Sequence, residues 1–296
     1  MIRILGTAFA ALLGLAFGSF LNVCLTRWPQ GESIVTPRSH CCNCARTLAW
    51  WENIPLLSWL ALRGQCRTCH TWIGWRYPLV ELAVATLWAY VVWAFARFWS
   101  GPQVDLVVEN LWTLIGIVGA FVFSWLLVAL AVLDAENLWL PDWLTLSGVV
   151  LGYVSTVSRM RLFYETPTTD AGPPLGPTAL KSLLEILAAA LLILLIRWLY
   201  KLIRHREGIG LGDAKLMAML AAWLGLPGAL LSLFLGVILG SLAALVLLAL
   251  PKPKQQQPQS WALTKLPLGT FLCIGGIVSA LWGTPILAAY MRWAGF

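Results

Sequence analysis

Charged side chains are scarce in this chain of 296 residues. Only 11% of its residues are Asp, Glu, Lys or Arg, against about 25% in an ordinary soluble domain. Hydrophobic residues make up 59% of the chain, and the mean hydropathy is +0.79. A chain with so few charges cannot cover its surface with polar groups. The composition therefore excludes a soluble protein and predicts that much of the surface contacts lipid.

Acidic residues are scarcer than basic ones. The chain has 13 Asp and Glu against 20 Lys and Arg, which gives a formal net charge of +7. A positive net charge can indicate nucleic acid binding. In a membrane protein it more often reflects basic loops on the cytoplasmic side. We therefore expect a lipid bilayer as the partner of this chain and no nucleic acid.

Long apolar segments predict an all-α integral membrane protein, a bundle of about eight transmembrane helices. A helix needs about 20 apolar residues to cross roughly 30 Å of hydrocarbon. The uncharged run 216–250 would be about 52 Å long as one straight helix, so we predict a break at Leu226-Pro227-Gly228. The predicted spans are 4–24, 78–96, 111–133, 143–157, 182–196, 214–226, 228–250 and 266–290.

The distribution of Lys and Arg predicts the orientation. If the N-terminus is outside, loops 25–77, 134–142, 197–213 and 251–265 all face the cytoplasm. These loops hold 13 of the 20 basic residues, and the opposite side holds six. Cytoplasmic loops carry the excess of Lys and Arg. We therefore expect both termini in the periplasm and these four loops in the cytoplasm.

Four of the seven cysteines form two pairs in the only large hydrophilic segment, residues 25–77. Cys41 and Cys44 form one CxxC pair, and Cys66 and Cys69 form the other. Two such pairs at this spacing fit a tetrahedral, structural zinc site, and a reducing cytoplasm favours metal over disulfides. The alternative is four reduced thiols without a metal. Cys42 is an additional thiol that could replace Cys41 as a ligand.

Two acidic residues, Asp134 and Asp142, lie next to predicted spans and are candidate functional groups, because charge at a membrane boundary is costly. Asp134 ends an apolar run, where a negative charge opposes the macrodipole of its own helix. Capping of that helix is therefore a poor explanation for an acid at position 134. Asp142 follows Pro141, and this pair is also a good start for a helix. The functional and the structural interpretation of Asp142 remain equally open.

Asp213 closes a glycine-rich stretch that includes Gly210 and Gly212. The stretch could be a flexible turn with a helix cap, and no strand precedes it, which argues against a dinucleotide site. By the charge distribution, Asp134 and Asp213 both lie at cytoplasmic ends of spans. Two such carboxylates that share one proton can activate a water for amide hydrolysis. Glycines beside one of them allow close approach of a peptide.

These motifs together resemble the type IV prepilin leader peptidases, bifunctional membrane aspartyl peptidases of the GxGD class. The similarity extends from residue 18 to about residue 225, and the last two spans add only hydropathy. Four stretches carry the similarity. The first is 18–29, which begins with GSFLNVC, and the second is the cysteine loop, which includes 51–59 and continues to 76–81. The third is 134–145, and the fourth is 210–216, with the pattern GxGDxKL.

The resemblance implies an enzyme of the bacterial inner membrane. Such enzymes cut the leader of type IV prepilins, or of type II secretion pseudopilins, after a Gly at the cytoplasmic face. They then methylate the new N-terminal residue with S-adenosylmethionine. Asp134 and Asp213 match the catalytic aspartates, and Asp142 matches a motif position with a supporting role. The alternative that the residues leave is a non-enzymatic scaffold or transporter with a zinc-ribbon loop.

The resemblance also divides the chain. Residues 1–24 form the first transmembrane helix, 25–77 the cytoplasmic zinc-binding loop linked to methylation, and 78–296 the peptidase bundle. One position departs from the family pattern, since Cys42 stands where the family usually has Pro after the first Cys. Lys215, two residues after Asp213, is expected to favour the charged form of that carboxylate.

Overall fold

A computed structural model describes residues 2–95, 106–164, 175–205, 210–249 and 266–295. Within these residues the secondary structure is helical and contains no strand, which confirms the predicted all-α class. The chain divides into two compact units, Met1–Ala129 and Leu130–Phe296. The predicted cytoplasmic loop 251–265 lies outside the described residues.

The first unit contains two long helices, α1 (Ile2–Arg27) and α3 (Arg76–Phe95), with the short helix α2 (Leu57–Ala61) in the segment that joins them. Helix α4 (Leu106–Asn137) begins in this unit. Glycines on α1 allow its close packing against α3. A Cβ at Gly14 would lie 2.6 Å from Ala85 Cα, and one at Gly18 would lie 2.7 Å from Glu81 Cα. Small residues at such interfaces let helix backbones approach within van der Waals contact.

The second unit contains the end of α4 and helices α5 (Asp142–Tyr164), α6 (Leu175–Arg204), α7 (Leu211–Ala249) and α8 (Leu268–Trp293). Side chains connect α5 to α7: Thr156 donates to the Ala222 carbonyl at 2.9 Å, and Trp223 Nε1 donates to the Gly148 carbonyl at 2.9 Å. Since the first turn of α7 carries Asp213, these contacts help to fix the position of that residue.

Helix α7 is interrupted at Gly225, where the backbone adopts φ 70° and ψ 173°. This region is accessible essentially only to glycine. The interruption lies one residue before the predicted break at 226–228, and Pro227 follows it. The backbone N–H of Leu226, freed at the interruption, donates to Glu185 Oε2 on α6 at 3.3 Å. The predicted division of the long apolar run is therefore confirmed.

Six of the described helices are long and apolar enough to cross a membrane, namely α1, α3, α4, α6, α7 and α8. The prediction of about eight spans differs from this number at two places. It counted the two parts of α7 separately, and it counted α5, which has membrane length but a less apolar composition. Helices α5 and α6 are also longer than the predicted spans 143–157 and 182–196, because hydropathy detects only the apolar centre of a helix.

Candidate functional site

Asp134 lies in the last turn of α4 and reaches the first turn of α8. Its Oδ2 atom accepts a hydrogen bond from the backbone N–H of Thr270 at 2.7 Å and lies 3.2 Å from Thr270 Oγ1. The residue is 6% exposed. A carboxylate at a helix N-terminus is favoured by the macrodipole. The unfavourable dipole of α4 is therefore offset by the dipole of α8, which the sequence did not indicate.

Asp213 lies in the first turn of α7, and its Oδ2 atom accepts a hydrogen bond from the backbone N–H of Gly210 at 3.1 Å. It is 8% exposed. Both candidate acids thus lie at helix N-termini, Asp134 against α8 and Asp213 within α7. Backbone donors at such positions hold carboxylates in a fixed orientation.

The structure brings the two carboxylates into one site. They are close enough for their charges to interact, and both also interact electrostatically with the buried thiol of Cys273 on α8. Leu140 packs beside both helix starts. A Cβ at Gly212 would lie 3.0 Å from Leu140 Cβ, and one at Gly269 would lie 3.0 Å from Leu140 Cδ1. Glycine at these two positions permits the close approach of α7 and α8 to the residues after α4.

Asp142 and Lys215 form an ion pair next to this site. Lys215 Nζ donates to Asp142 Oδ1 at 2.5 Å, with the Asp142 side chain largely exposed. Lys215 was expected to favour the charged form of Asp213, and the contact that the structure shows for its ammonium group is with the acid of α5. The ion pair connects the first turn of α5 to the first turn of α7.

Sequence reasoning missed Gly269 and Thr270. Thr270 supplies a backbone N–H and a hydroxyl group next to Asp134 Oδ2, and a Cβ at Gly269 would lie 2.9 Å from the same oxygen. The only sequence signal in this region was the hydropathy of the last span. A Gly-Thr pair at the start of an apolar helix was the feature that could have indicated a close contact.

The four cysteines predicted as ligands form one cluster in the first unit. The sulfur atoms of Cys41, Cys44, Cys66 and Cys69 all lie within 4.8 Å of one another. The Sγ atoms of Cys41 and Cys69 are 3.7 Å apart, and those of Cys44 and Cys66 are 4.0 Å apart. Cys42 is exposed and lies outside the cluster. Cys41 and not Cys42 is therefore the candidate metal ligand that pairs with Cys44.

The two CxxC turns have the same backbone geometry. The N–H of Ala45 donates to the Cys41 carbonyl and that of His70 to the Cys66 carbonyl, both at 2.9 Å. Ala45 and His70 both have positive φ, 55° and 54°. Each turn thereby directs two sulfurs to one point. Four converging thiolates with no fifth protein ligand are the donor set of a structural zinc site.

The environment of Cys69 favours the ligand form of its thiol. Its Sγ atom lies 3.3 Å from Thr71 Oγ1, and hydrogen bonding by Thr71 lowers the pKa of the Cys69 thiol to about 5. The thiolate is the form that binds metal. The four sulfur atoms therefore have the arrangement of a zinc site, and Cys69 is the member whose surroundings most favour the thiolate.

Comparison with known proteins defines the class. Residues 12–95 match the bacterial peptidase A24 N-terminal domain, and residues 121–245 match the type IV leader peptidase family. The chain is 33% identical to the prepilin leader peptidase/N-methyltransferase of Stutzerimonas stutzeri, over 96% of this chain and 93% of that protein. The proteins of that name in Pseudomonas aeruginosa (33%, covering 96% and 93%) and Xanthomonas campestris pv. campestris (33%, covering 98% and 96%) are similarly related. No solved structure matches the chain.

The chain belongs to the type IV leader peptidase family, as the resemblance predicted. It is an enzyme, a prepilin peptidase with N-methyltransferase activity. This excludes the alternative of a non-enzymatic scaffold or transporter. Prepilins are its substrates, the methyl transfer indicates S-adenosylmethionine as donor, and the membrane-capable helices indicate an inner-membrane protein.

Proposed function

We propose that Asp134 and Asp213 are the catalytic pair and that they activate a water molecule to hydrolyse the leader peptide bond. The observation that carries this proposal is the meeting of two buried carboxylates, each held by a backbone donor, at the starts of α7 and α8. Two acids that share such a site retain one proton between them, which equips the pair with a base and an acid at once.

The reaction then proceeds by general acid–base catalysis. The ionised carboxylate takes a proton from water, and the water oxygen bonds to the carbonyl carbon. The protonated carboxyl group gives its proton to the carbonyl oxygen. Breakage of the C–N bond follows, and the leaving nitrogen takes up a proton to become the amino terminus of the mature pilin. Thr270 and Gly210 each fix one oxygen of the pair and so orient the other towards the substrate.

The scissile bond follows a Gly in this proposal. Leu140 and the acids leave little room at the starts of α7 and α8, since Cβ atoms at Gly212 and Gly269 would already lie about 3 Å from neighbouring atoms. A substrate residue without a side chain fits such a crowded site best. Gly210 and Gly212 have the supporting role of allowing this approach, and the Asp142–Lys215 pair supports the position of Asp213 by joining α5 to α7.

We place the catalytic pair at the cytoplasmic face, with both termini in the periplasm. The predicted cytoplasmic loops carry most of the Lys and Arg residues, and the pair lies at the ends of helices that adjoin these loops. A prepilin or a type II secretion pseudopilin has an apolar helix, which can enter from the bilayer and present its leader at this face.

The first unit carries the methylation half in this proposal. Its four-cysteine cluster holds zinc, which fixes the segment between α1 and α3, and S-adenosylmethionine supplies the methyl group. The sequence predicted a division at residue 78, and the packing of α3 against α1 in the first unit supports a later one. We therefore assign α3 to the methylation half and the second unit to cleavage.

The deciding experiment compares Asp134→Asn and Asp213→Asn in membranes that contain a prepilin. Loss of one member of a general acid–base pair slows cleavage by about 10²- to 10⁴-fold, measured by N-terminal mass analysis. Asp142→Asn is the comparison variant: it removes only the exposed ion pair with Lys215, which contributes about 1 kcal/mol or less, and should slow cleavage far less than either variant of the pair. Wild-type cleavage by either Asn variant of the pair would contradict the assignment.

A further inference from the structure

A group of polar side chains lies between α1 and α3 in the first unit, and neither zinc binding nor cleavage uses it. Asn22 Nδ2 on α1 donates to the Tyr77 carbonyl at the start of α3 at 3.0 Å. One turn further into each helix, Ser19 on α1 forms a hydrogen bond with Glu81 on α3. These residues lie near the helix ends that carry the cysteine segment.

Glu81 is a buried acid without a cationic partner. It is 6% exposed, and its Oε2 atom accepts a hydrogen bond from the backbone N–H of Leu56 at 2.8 Å. Within the described part of the chain no Lys, Arg or His forms an ion pair with it. A buried carboxylate is costly unless a charge compensates it, and ionisable residues in membrane helices are functional candidates by default.

Asn22, on the same interface as this acid, has an acceptor atom that no donor contacts among the described residues. The residue is 2% exposed, and its Oδ1 atom is buried without a hydrogen-bond partner among the described residues. Buried polar atoms are nearly always paired, so such an exception calls for a partner. Asn22 bonds to the Tyr77 carbonyl, and Glu81 follows Tyr77 by about one turn of the same helix, so both groups belong to the same stretch of the interface between α1 and α3.

The backbone over Glu81 is strained. Leu56 has φ 58° and ψ −48°, and the N–H of Leu57 donates to the Pro55 carbonyl at 2.6 Å, which defines a γ-turn with positive φ. This turn is rare and strained for a residue with a side chain. Strained backbone is found at ligand clamps and switch regions. Leu56, the central residue of this strained turn, is the residue whose N–H donates to Glu81 Oε2.

We propose that Glu81 and Asn22 form a binding site for a primary ammonium group, and that this group is the new amino terminus of the cleaved pilin. An ammonium group has three donors and one positive charge. The two positions supply a negative charge and an unused acceptor, which are the matching partners. The proposal rests on the methyltransferase activity, whose substrate is that amino group, and on the position of both residues beside the cysteine segment.

The test uses the full-length enzyme in proteoliposomes and a synthetic peptide that already has the mature pilin amino terminus. Methylation is then measured independently of cleavage, so that failure of the aspartate assignment does not affect it. Glu81→Gln retains acceptors and donors for Leu56 and Ser19 but removes the charge. We expect the peptide KM for methylation to rise about tenfold or more, with an unchanged KM for the methyl donor and normal prepilin cleavage.

Two controls separate charge from structure. Ser19→Ala removes a hydrogen bond to the same carboxylate but leaves its charge, and its peptide KM should change by about threefold at most. Glu81→Asp retains the charge and should restore part of the peptide binding. A methylation defect of equal size in Ser19→Ala and Glu81→Gln would assign Glu81 a purely structural role and overturn the proposal.

A second measurement needs no variant. With wild-type enzyme, the mature peptide and its N-acetylated form compete with a labelled peptide for methylation. The acetylated form has no positive charge, so its competition should be weaker by a factor of about ten or more. Equal competition by both forms would overturn the proposal, as would a wild-type peptide KM in Glu81→Gln. A rise confined to the KM of the methyl donor would instead assign the site to the donor's own ammonium group.

Discussion

Gly269 lies directly against the candidate catalytic pair, where there is no room for a side chain. A Cβ at this position would lie 2.9 Å from Asp134 Oδ2, 3.0 Å from Asp134 Cγ and 3.0 Å from Leu140 Cδ1. Neighbouring atoms would have to move to accept it. Because the Asp134 carboxylate is held by the next residue, Thr270, any such movement also disturbs the hydrogen bonds that orient it.

We predict that Gly269→Ala slows prepilin cleavage by about 100-fold, since a displacement of about 1 Å in a catalytic group has this effect. The measurement is the initial rate of leader removal in membranes. Gly176→Ala on α6 is the matched control, because no atom lies within 4 Å of a Cβ there. Equal rates in the two variants would show that the contact with Asp134 does not matter for cleavage.

At the scale of elements, the interruption of α7 depends on Gly225 more than on Pro227. Gly225 adopts a conformation that is essentially restricted to glycine, and a Cβ there would lie 3.2 Å from Glu185 Oε2. Pro227 only follows the interruption. The sequence indicated the position through its proline, but the backbone conformation that makes the break belongs to the glycine.

Gly225→Ala should therefore destabilise the second unit by about 1–3 kcal/mol. Pro227→Ala should cost about 1 kcal/mol or less, because it removes only a restriction of the unfolded chain. The measurement is thermal unfolding of the detergent-solubilised protein. The reverse order of stability, with Pro227→Ala the less stable variant, would contradict this explanation of the break.

The ion pair of Arg46 with Glu52 stabilises the segment between α1 and α3. Glu52 Oε1 lies 2.6 Å from Arg46 Nη2, and Glu52 Oε2 accepts from the Ala49 N–H at 2.7 Å. The hydrogen bond from Arg46 lowers the pKa of Glu52 below its ordinary value of 4.5. A lowered pKa in the folded state means that the stabilisation is complete above the ordinary value and is lost as the pH falls through the folded pKa.

We expect hydrogen exchange in residues 46–54 to accelerate as the pH falls below about 4.5, after correction for the intrinsic rate. Glu52→Gln should lack the part of this pH dependence that Glu52 causes and should show faster exchange already at neutral pH. Comparison of the two proteins separates the effect from acid release of zinc, which both would share. An unchanged pH dependence in Glu52→Gln would mean that another group is responsible.

At the scale of the whole molecule, the proposed assignment places the two activities in different compact units. The cysteine cluster lies in Met1–Ala129, and the candidate catalytic pair lies in Leu130–Phe296. Each site is formed by residues of one unit only. Damage to the metal site should therefore affect methylation and leave the aspartate pair formed.

We predict that Cys44→Ser or Cys66→Ser loses zinc and methylation and retains prepilin cleavage. Three thiolates bind zinc more weakly than four, and removal of the metal releases the two turns. Cys42→Ser is the matched control, because that exposed thiol lies outside the cluster, and it should behave as wild type. Absence of zinc from the purified wild-type protein would contradict the site itself.

Much of this protein could be predicted from local patterns. Composition predicted the membrane class, apolar runs predicted the helices, and spacing predicted the four cysteines that cluster. The partners of the acids could not be predicted in this way. Asp134 bonds to Thr270 and Lys215 pairs with Asp142. Closeness in sequence linked Lys215 to Asp213, whereas helix packing places its ammonium group against an acid 73 residues away.

The sequence by itself therefore determined which segments are helical, which side chains can bind metal or move protons, and the family. Those properties depend on hydropathy, periodicity and short spacings, all of which are local. Only the tertiary structure decided that Asp134 accepts a hydrogen bond at the start of α8, that α7 breaks at Gly225, and that Glu81 is buried with no counter-charge among the described residues. The physical reason is that the cost of a charge or a strained backbone depends on which distant helices surround it.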